Sequence, residues 1–304
     1  MGKLTVGSRG SALALRQTEL IVERLKSLNP GLEIEVRIIK TKGDKILDEP
    51  LTRVAGKGFF VAEIERAVLR GEIDFAVHSM KDLPAEITGG VCIAAVTERE
   101  DPSDALISKG HCLRDLPKGA RIGSSSPRRG AQLLHFRPDL RICDLRGNLD
   151  TRLRKLDAGE YDGIVLAYAG LHRMGWDHRI TEKLPPEICL PAVGQGALAI
   201  QTREDDAETI VLLARLDDAE SRAAVTAERS LLSALGGGCQ IPIGALGIIE
   251  GAALRLRGVV ASPDGTRLIR GAVSGDPAKP EELGRELAGV LIASGADVIL
   301  RASG

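Results

Sequence analysis

The stretch IDFAVHSMKDLP, Ile73–Pro84, joins a short apolar run to a cluster of polar and charged residues. The run Ile73–His78 followed by a Leu-Pro stop is typical of a buried strand that ends in a tight loop. In open α/β sheets, ligands bind outside the carboxyl ends of the strands. The stretch therefore predicts a buried strand of an α/β sheet, with Ser79, Lys81 and Asp82 at its functional end.

Helix-like and strand-like segments alternate on both sides of this stretch. Before it, Ala12–Leu28 has helical spacing and Glu33–Thr41 alternates like a strand. A second alternating block follows Asp101, and Gly194–Gln201 is predicted to be its last strand, followed by a helix over Ala207–Leu216. Two such blocks predict two α/β domains with helices on both faces of each sheet and a cleft between them.

The last part of the chain has a different pattern. A helix is predicted over Ala219–Leu235, and three strand-like segments follow over Gly244–Glu250, Ala253–Ala261 and Arg267–Ser274. A turn between the second and third segments predicts a hairpin, and Glu281–Ser294 is a closing helix. This part therefore predicts a small α+β domain.

The composition excludes several classes of protein. The 304 residues carry a net charge of -1 and only 2% aromatic residues, which disfavours a nucleic-acid binder. No stretch of about eighteen apolar residues is present, and the N-terminus lacks the apolar core of a signal peptide. The five cysteines are dispersed and form no C-x-x-C pair, which disfavours a metal site. We expect a cytoplasmic protein without a membrane span.

Basic and hydroxyl residues recur just after predicted strands or at the starts of the helices that follow. Helix N-termini favour anions, and arginine binds carboxylates through two parallel hydrogen bonds. Any one of these residues alone is better explained as a solvated surface charge. Their repetition after four or five strands favours a site for a polyanion. The set is Arg9, Ser11, Lys57, Ser79, Lys81, Ser124, Ser125, Ser126, Arg128, Arg129, Arg146, Arg152 and Arg173.

Three further residues, Asp82, His78 and Cys239, have either a catalytic or cofactor-binding role or a purely structural one. Asp82, at a strand end beside Lys81, is either a general acid or base or the cap of a turn. His78 lies in an apolar strand and is better explained as a structural histidine. Cys239 follows three glycines, which leave room for a bulky group, but a lone cysteine is more often simply buried.

Taken together, these segments resemble the porphobilinogen deaminase (hydroxymethylbilane synthase) family nearly from end to end. The similar segments occur in the family's order: Arg9–Gln17, Lys57–Phe60, Asp74–Pro84, Ile122–Arg129, Arg146–Leu153, Ala169–Arg173, Gly194–Leu198, Glu228-Arg229 and Gly237–Gly244. The resemblance implies three domains, the first two doubly wound and like type II periplasmic binding proteins. Their implied bounds are 1–98 with 196–216, 99–195, and 217–304.

The resemblance also implies an enzyme and a site. The activity is the head-to-tail joining of four porphobilinogen molecules on a dipyrromethane cofactor, with release of hydroxymethylbilane. Asp82 would be catalytic, and Cys239 would hold the cofactor through a thioether. The other implied cofactor-binding residues are Lys81, Asp82, Ser124, Ser126, Arg128, Arg129 and Arg146. The implied substrate-binding residues are Arg9, Ser11, Lys57, Ser79, Arg152, Arg173 and Gln195.

Two other classes of protein remain as alternatives. A non-catalytic two-lobed anion-binding protein would explain the basic loops but not Cys239 or Asp82. A nucleic-acid binder would use the arginines to bind phosphates, but the near-neutral net charge of the chain disfavours this class. The expected partner is the small-molecule substrate alone, with no nucleic acid and no membrane, and the expected state is a monomer.

Overall fold

The computed structural model describes residues 3–41, 61–236 and 241–303. The chain divides into two compact units, Met1–Glu100 with Ala197–Arg222, and Asp101–Gly196 with Ala223–Gly304. In the described ranges, none of the helices combines the length and apolar character that crossing a membrane requires.

The first unit is built on a five-stranded sheet of order β2-β1-β3-β10-β4, in which β10 is antiparallel to both of its neighbours. Its strands are β1 (Leu4–Ser8), β2 (Ile34–Ile38), β3 (Phe75–Ser79), β4 (Val91–Val96) and β10 (Leu198–Arg203). Its helices are α1 (Ala12–Leu28), α2 (Ala62–Leu69) and α6 (Ala207–Leu213). The start of α7 (Ala219–Ala234) also belongs to it.

Helices cover both faces of this sheet because side chains along a strand alternate between the faces. Phe75 and Val77 of β3 pack in one cluster with apolar residues of α1 and α6. Ala76, between them, packs in the opposite cluster with Ile64 and Val68 of α2. The sheet is therefore doubly wound, as the alternating sequence pattern predicts.

The second unit contains a sheet of the same design, with order β7-β6-β8-β5-β9 and β5 antiparallel to both neighbours. Its strands are β5 (Asp104–Ser108), β6 (Arg121–Gly123), β7 (Arg141–Cys143), β8 (Gly163–Ala167) and β9 (Glu182–Leu184). Its helices are α3 (Pro127–Phe136), α4 (Leu149–Asp157) and α5 (Tyr168–Arg173). α3 packs on one face, and α4 and α5 pack on the other.

The same unit also contains an antiparallel three-stranded sheet with helices on one face. The sheet has the order β11-β12-β13, with β11 (Ile243–Glu250), β12 (Ala253–Ala261) and β13 (Leu268–Gly275). Apolar residues of α7, α8 (Pro280–Ala293) and α9 (Ala296–Ser303) form its core. The fold-class prediction is therefore confirmed, with two α/β sheets of one topology and a small α+β part.

The predicted strand with the largest error at its start is the one at β10. The sequence pattern predicts a strand over Gly194–Gln201, whereas β10 begins at Leu198. Gly194 and Gly196 have positive φ values of 70° and 97°, so this segment turns before the strand begins. The three sheets lie one in each of the three predicted domains, whose exact bounds stay a prediction.

Candidate active site

In the first unit, polar residues lie where β1 and β3 end and where β10 begins. Ser79, the last residue of β3, lies opposite Leu198, the first residue of β10. The next amide, that of Met80, donates to the carbonyl of Ala197 at 3.0 Å. The chain after β3 is thus held by backbone hydrogen bonds, which positions the residues that follow.

Lys81 and Asp82 follow on a short 3-10 turn, Met80–Asp82, whose first side chain is buried. The backbone amide of Leu83 closes this turn on the carbonyl of Met80 at 3.1 Å. The Asp82 side chain is exposed and Lys81 is half-buried. A rigid strand end therefore presents a carboxylate that a ligand can reach, as a general acid or base requires.

Two of the predicted binding hydroxyls in this unit also have structural partners. The Ser79 hydroxyl lies 3.1 Å from Nε2 and 3.2 Å from Oε1 of the buried Gln17. The Ser11 hydroxyl caps α1 by accepting from the amide of Ala14 at 3.3 Å. Arg9 is half-buried just after β1, beside this helix N-terminus. The favourable end of the α1 dipole and the charge of Arg9 make this corner attractive to an anion.

In the second unit, the parallel strands β6, β7 and β8 end at one edge of the sheet. Ser124, Ser125 and Ser126 follow β6, and Ser126 caps α3 by accepting from the amide of Arg129 at 3.4 Å. Ser125 fixes the loop, because its hydroxyl lies 2.9 Å from both the amide and the carbonyl of Leu145. The loop and the start of α3 form the kind of N-terminal site that binds anions.

Arg128 and Arg129 lie in the first turn of α3, but both are buried, at 5% and 6% exposure. Arg128 donates from Nη1 to Asp104 Oδ2 at 2.6 Å and to the carbonyl of Leu190 at 2.7 Å. Arg129 donates from Nε and Nη2 to Asp104 Oδ1 at 2.9 and 2.7 Å. Adjacent guanidinium groups thus share one buried carboxylate, which is the first residue of β5.

Two more side chains complete the surroundings of Asp104. Gln195 is buried, and its Nε2 donates to Asp104 Oδ1 at 2.9 Å and to the carbonyl of Pro102 at 2.7 Å. The Cys189 thiol donates to Asp104 Oδ2 at 3.3 Å. Burial alone would raise the pKa of Asp104, but the adjacent guanidinium groups hold it far below its usual range. Asp104 is therefore ionised at neutral pH.

Three further arginines follow the neighbouring strands in this unit. Arg146 lies half-buried in the loop after β7, and Arg152 in α4 donates from Nε to the carbonyl of Gly147 at 2.8 Å. Arg173 in α5 donates from Nη2 to the carbonyl of Gly196 at 2.5 Å. The side chains of Arg152 and Arg173 are thus oriented by the protein backbone. Their proposed role with a ligand stays a prediction.

Most of the predicted site residues lie on one of these two edges. Lys57 and Cys239 lie outside the described residues, so their predicted roles stay predictions. Asp104 was missed by the sequence analysis. The signal that could have located it is the apolar run Ala105–Ile107 directly after it, which identifies a strand start. In the part of the chain that the structure describes, no group of three or more His, Cys, Asp or Glu could hold a metal ion.

Two family models together match most of the chain. Residues 4–211 match the model described as porphobilinogen deaminase, dipyromethane cofactor binding domain. Residues 222–293 match the model of the porphobilinogen deaminase C-terminal domain. The chain belongs to the porphobilinogen deaminase family. The Ser79–Asp82 turn and the Ser124–Arg129 segment both lie in the part that matches the cofactor-binding domain.

Curated porphobilinogen deaminases are similar over nearly their full length. The protein from Desulforamulus reducens is 52% identical over 299 residues, which cover 98% of this chain and 97% of that protein. The Bacillus subtilis protein is 50% identical over 299 residues, which cover 97% and 95%. A probable amino-acid ABC transporter binding protein of Bacillus subtilis has a TM-score of 0.42 and 11% identity, over 71% of this chain and 90% of that one. That likeness is too distant to decide any point.

The described residues fit the cofactor named by the family. A dipyrromethane carries acetate and propionate side chains, which need hydrogen-bond donors and positive charge. The second unit has hydroxyl donors in Ser124 and Ser126 and guanidinium donors in Arg128, Arg129 and Arg146 near the start of α3. These groups are the types that bind carboxylates.

Proposed function

We propose that this chain is a hydroxymethylbilane synthase, the transferase activity of the porphobilinogen deaminase family. It deaminates four porphobilinogen molecules and joins them head to tail on a Cys239-linked dipyrromethane. Water then cleaves the bond to the dipyrromethane, which releases linear hydroxymethylbilane and leaves the dipyrromethane on the chain. The observation that carries the proposal is the match of both family domains, together with about 50% identity over nearly the full chain. The product serves tetrapyrrole and haem biosynthesis.

The proposed binding residues recognise carboxylates. Porphobilinogen has one acetate and one propionate, so each addition increases the negative charge that the protein has to balance. In the first unit this role falls to Arg9, Ser11, Lys57, Ser79 and Lys81. In the second unit it falls to Ser124, Ser126, Arg128, Arg129, Arg146, Arg152, Arg173 and Gln195. Bidentate arginine contacts orient the substrate as well as neutralising it.

Asp82 is the proposed catalytic residue. Each addition breaks the bond between the aminomethyl carbon and nitrogen of porphobilinogen and releases ammonia. The cationic methylene carbon that results bonds to the free α-carbon of the acceptor pyrrole, which then loses its proton. The exposed Asp82 carboxylate accepts hydrogen bonds from pyrrole N–H groups, stabilises the cation and takes up the proton. When bound, the dipyrromethane supplies the first acceptor pyrrole.

The intact mass of the purified chain tests this proposal. We expect the chain to carry the mass of two deaminated porphobilinogen units, or to acquire it on incubation with porphobilinogen. Cys239→Ala should abolish the gain, whereas Cys112→Ala, which removes an exposed thiol elsewhere, should leave it unchanged. A parent chain that never gains mass would refute the enzyme and favour a non-catalytic anion-binding protein.

Two finer properties belong to the same proposal. We expect a monomer, which sedimentation equilibrium would test, and a cytoplasmic location, which fractionation of the source cells would test. Asp82→Asn should gain the initial mass at Cys239 far more slowly than the parent chain, because the amide cannot accept the proton. An Asp82→Asn chain as fast as the parent would remove Asp82 from the catalytic role.

A further inference from the structure

Both carboxylate oxygens of Asp104 accept hydrogen bonds, and four different side chains donate them. Oδ1 accepts from Arg129 and Gln195, and Oδ2 accepts from Arg128 and the Cys189 thiol. The residue is 0% exposed. A buried carboxylate is costly unless it is paired and hydrogen-bonded, and Asp104 meets both conditions.

The position of Asp104 places this cluster at the proposed binding edge. Asp104 lies opposite Ala167, the last residue of β8, because β5 runs antiparallel to β8. The edge is the same one at which β6 ends and the Ser124–Ser126 loop begins, since β6 and β8 are parallel. A carboxylate placed there attracts guanidinium groups toward the loop at the start of α3.

The contacts leave part of Arg128 for a ligand, whereas every nitrogen of Arg129 already donates: Nε and Nη2 to Asp104, and Nη1 to the carbonyl of Val165 at 3.2 Å. Arg128 donates to Asp104, Cys189 and Leu190 through Nη1 alone. Within the described ranges its Nε and Nη2 donate to no protein acceptor, and neither is a fully buried atom without a partner. A guanidinium has five N–H groups in a planar fork, so fixing one side of the fork fixes the direction of the others.

The charge of the cluster is also determined by Asp104. Two guanidinium groups and one carboxylate give a net charge of +1, which a single carboxylate of a ligand would neutralise. Without Asp104, two adjacent buried cations would repel each other at low effective dielectric. The pair would then be costly to bury, and each fork would be free to rotate.

We propose that Asp104 is a positioning residue of the carboxylate site, which clamps Arg128 beside Arg129 so that the remaining N–H groups of Arg128 bind one carboxylate of the pyrrole ligand. This inference rests on the proposed function for the identity of the ligand. The clamp itself rests on the buried contacts of Asp104 alone. Asp104 does not touch the reacting atoms, so its effect passes through the two arginines.

The first test compares Asp104→Asn with Asp139→Asn. Asp139 is a matched control, because it forms a bidentate pair with Arg137 at the far end of α3, at 2.7 and 2.8 Å. We measure the rate at which Cys239 gains mass over a range of porphobilinogen concentrations. Asp104→Asn should be about tenfold to a hundredfold slower at low porphobilinogen, from the loss of charged hydrogen bonds. High porphobilinogen should restore part of the rate.

The outcomes separate positioning from a merely structural role. If both aspartates have only a structural role, Asp104→Asn and Asp139→Asn should both have a lower thermal midpoint. The rate of mass gain should then depend on porphobilinogen concentration as it does in the parent chain. A folded Asp104→Asn chain that gains mass with the parent's concentration dependence would overturn the proposal. So would an Asp139→Asn chain with the same loss, because the effect would then be general to arginine pairs in this unit.

A second variant keeps the proposal testable if Asp104→Asn does not fold. Asp104→Ala leaves a space beside two guanidinium groups that a formate ion can fill. Purified in formate, this variant should have a thermal midpoint that rises with formate and not with chloride at equal ionic strength, whereas Asp139→Ala should not respond. Equal effects of formate and chloride would overturn the clamp. This measurement needs no porphobilinogen. It therefore tests whether Asp104 holds the two arginines even if the parent chain never gains mass.

Discussion

Helices α7 and α8 pack closely at Gly284, where there is no room for a side chain. We therefore expect the single methyl group of Gly284→Ala to have a large effect on stability. A Cβ placed on Gly284 of α8 would lie 2.5 Å from the carbonyl oxygen of Ala227 and 2.5 Å from Cβ of Ser230. It would also lie 2.7 Å from the amide nitrogen of Leu231. Backbone atoms of α7 cannot rotate away, so Gly284→Ala has to push the helices apart by roughly 1 Å to reach normal contact distances.

The expected magnitude follows from two opposing effects. Overpacking a core of this kind costs about 1–3 kcal/mol, and contact with backbone favours the upper end. Replacing glycine by alanine in a helix stabilises the helix by about 1 kcal/mol, because alanine has the higher helix propensity. We therefore expect Gly284→Ala to lower the free energy of unfolding by about 2 kcal/mol. Leu283 and Leu287, which flank the contact and are buried in the same core, would lose packing.

Gly289 on the same helix is the matched control. A Cβ there would meet no atom within 4 Å, and the residue is exposed. Gly289→Ala should therefore raise the free energy of unfolding by about 1 kcal/mol from helix propensity alone. Identical substitutions five residues apart on one helix are expected to have opposite signs.

Thermal unfolding followed by circular dichroism measures both changes. A chain of 304 residues has an unfolding entropy of roughly 0.6 kcal/mol/K, so 1 kcal/mol corresponds to roughly 1.6 °C. The midpoint should fall by about 3 °C for Gly284→Ala and rise by about 1.6 °C for Gly289→Ala. Hydrogen exchange of the α7 amides should accelerate only in the first variant. A Gly284→Ala chain as stable as the parent would refute the close contact.

Three further predictions concern single residues. Gly265→Ala should destabilise the chain by about 2 kcal/mol in urea unfolding, because its φ is +72° and a Cβ would lie 2.6 Å from the carbonyl oxygen of Ala131 in α3. Burial raises the pKa of the Cys189 thiol to about 12, so iodoacetamide at pH 8 should label the exposed Cys112 and spare Cys189 in peptide mass spectra. Burial lowers the pKa of His78 from 6.5 to about 4, so the unfolded chain binds the extra proton between these values. Stability should then fall as pH drops from about 6.5 toward 4, and His78→Gln should reduce that slope in urea titrations at several pH values.

Local chemistry explains which features the sequence predicts correctly. Ser11 and Ser126 cap α1 and α3, and both caps lie next to the helical periodicity that they begin. The strand Ile73–His78 and the polar turn after it are also recognisable locally, and the structure has β3 at Phe75–Ser79 with Asp82 exposed beyond it. Hydrophobic spacing and helix capping involve residues only a few positions apart. They can therefore be recognised without knowing which distant segments pack against them.

The start of β10 shows where local patterns stop being sufficient. Gly194–Gln201 alternates well enough for a strand, but the two glycines adopt positive φ and the strand begins four residues later. Glu228 accepts from the amide of Gly194 at 2.7 Å, over 34 residues of sequence. A distant carboxylate thus helps to hold the turn, and nothing in the segment itself indicates it.

The sequence by itself determined the alternation of helices and strands, the polar residues at strand ends, and the resemblance to one enzyme family. Only the tertiary structure decided the surroundings of those residues. Arg128 and Arg129 are predicted from the sequence as carboxylate-binding residues, and only the structure shows that both are also buried against Asp104, 24 and 25 residues away. Electrostatic energy depends on distance in space and on burial, and both are determined by how the strands are arranged in the sheet.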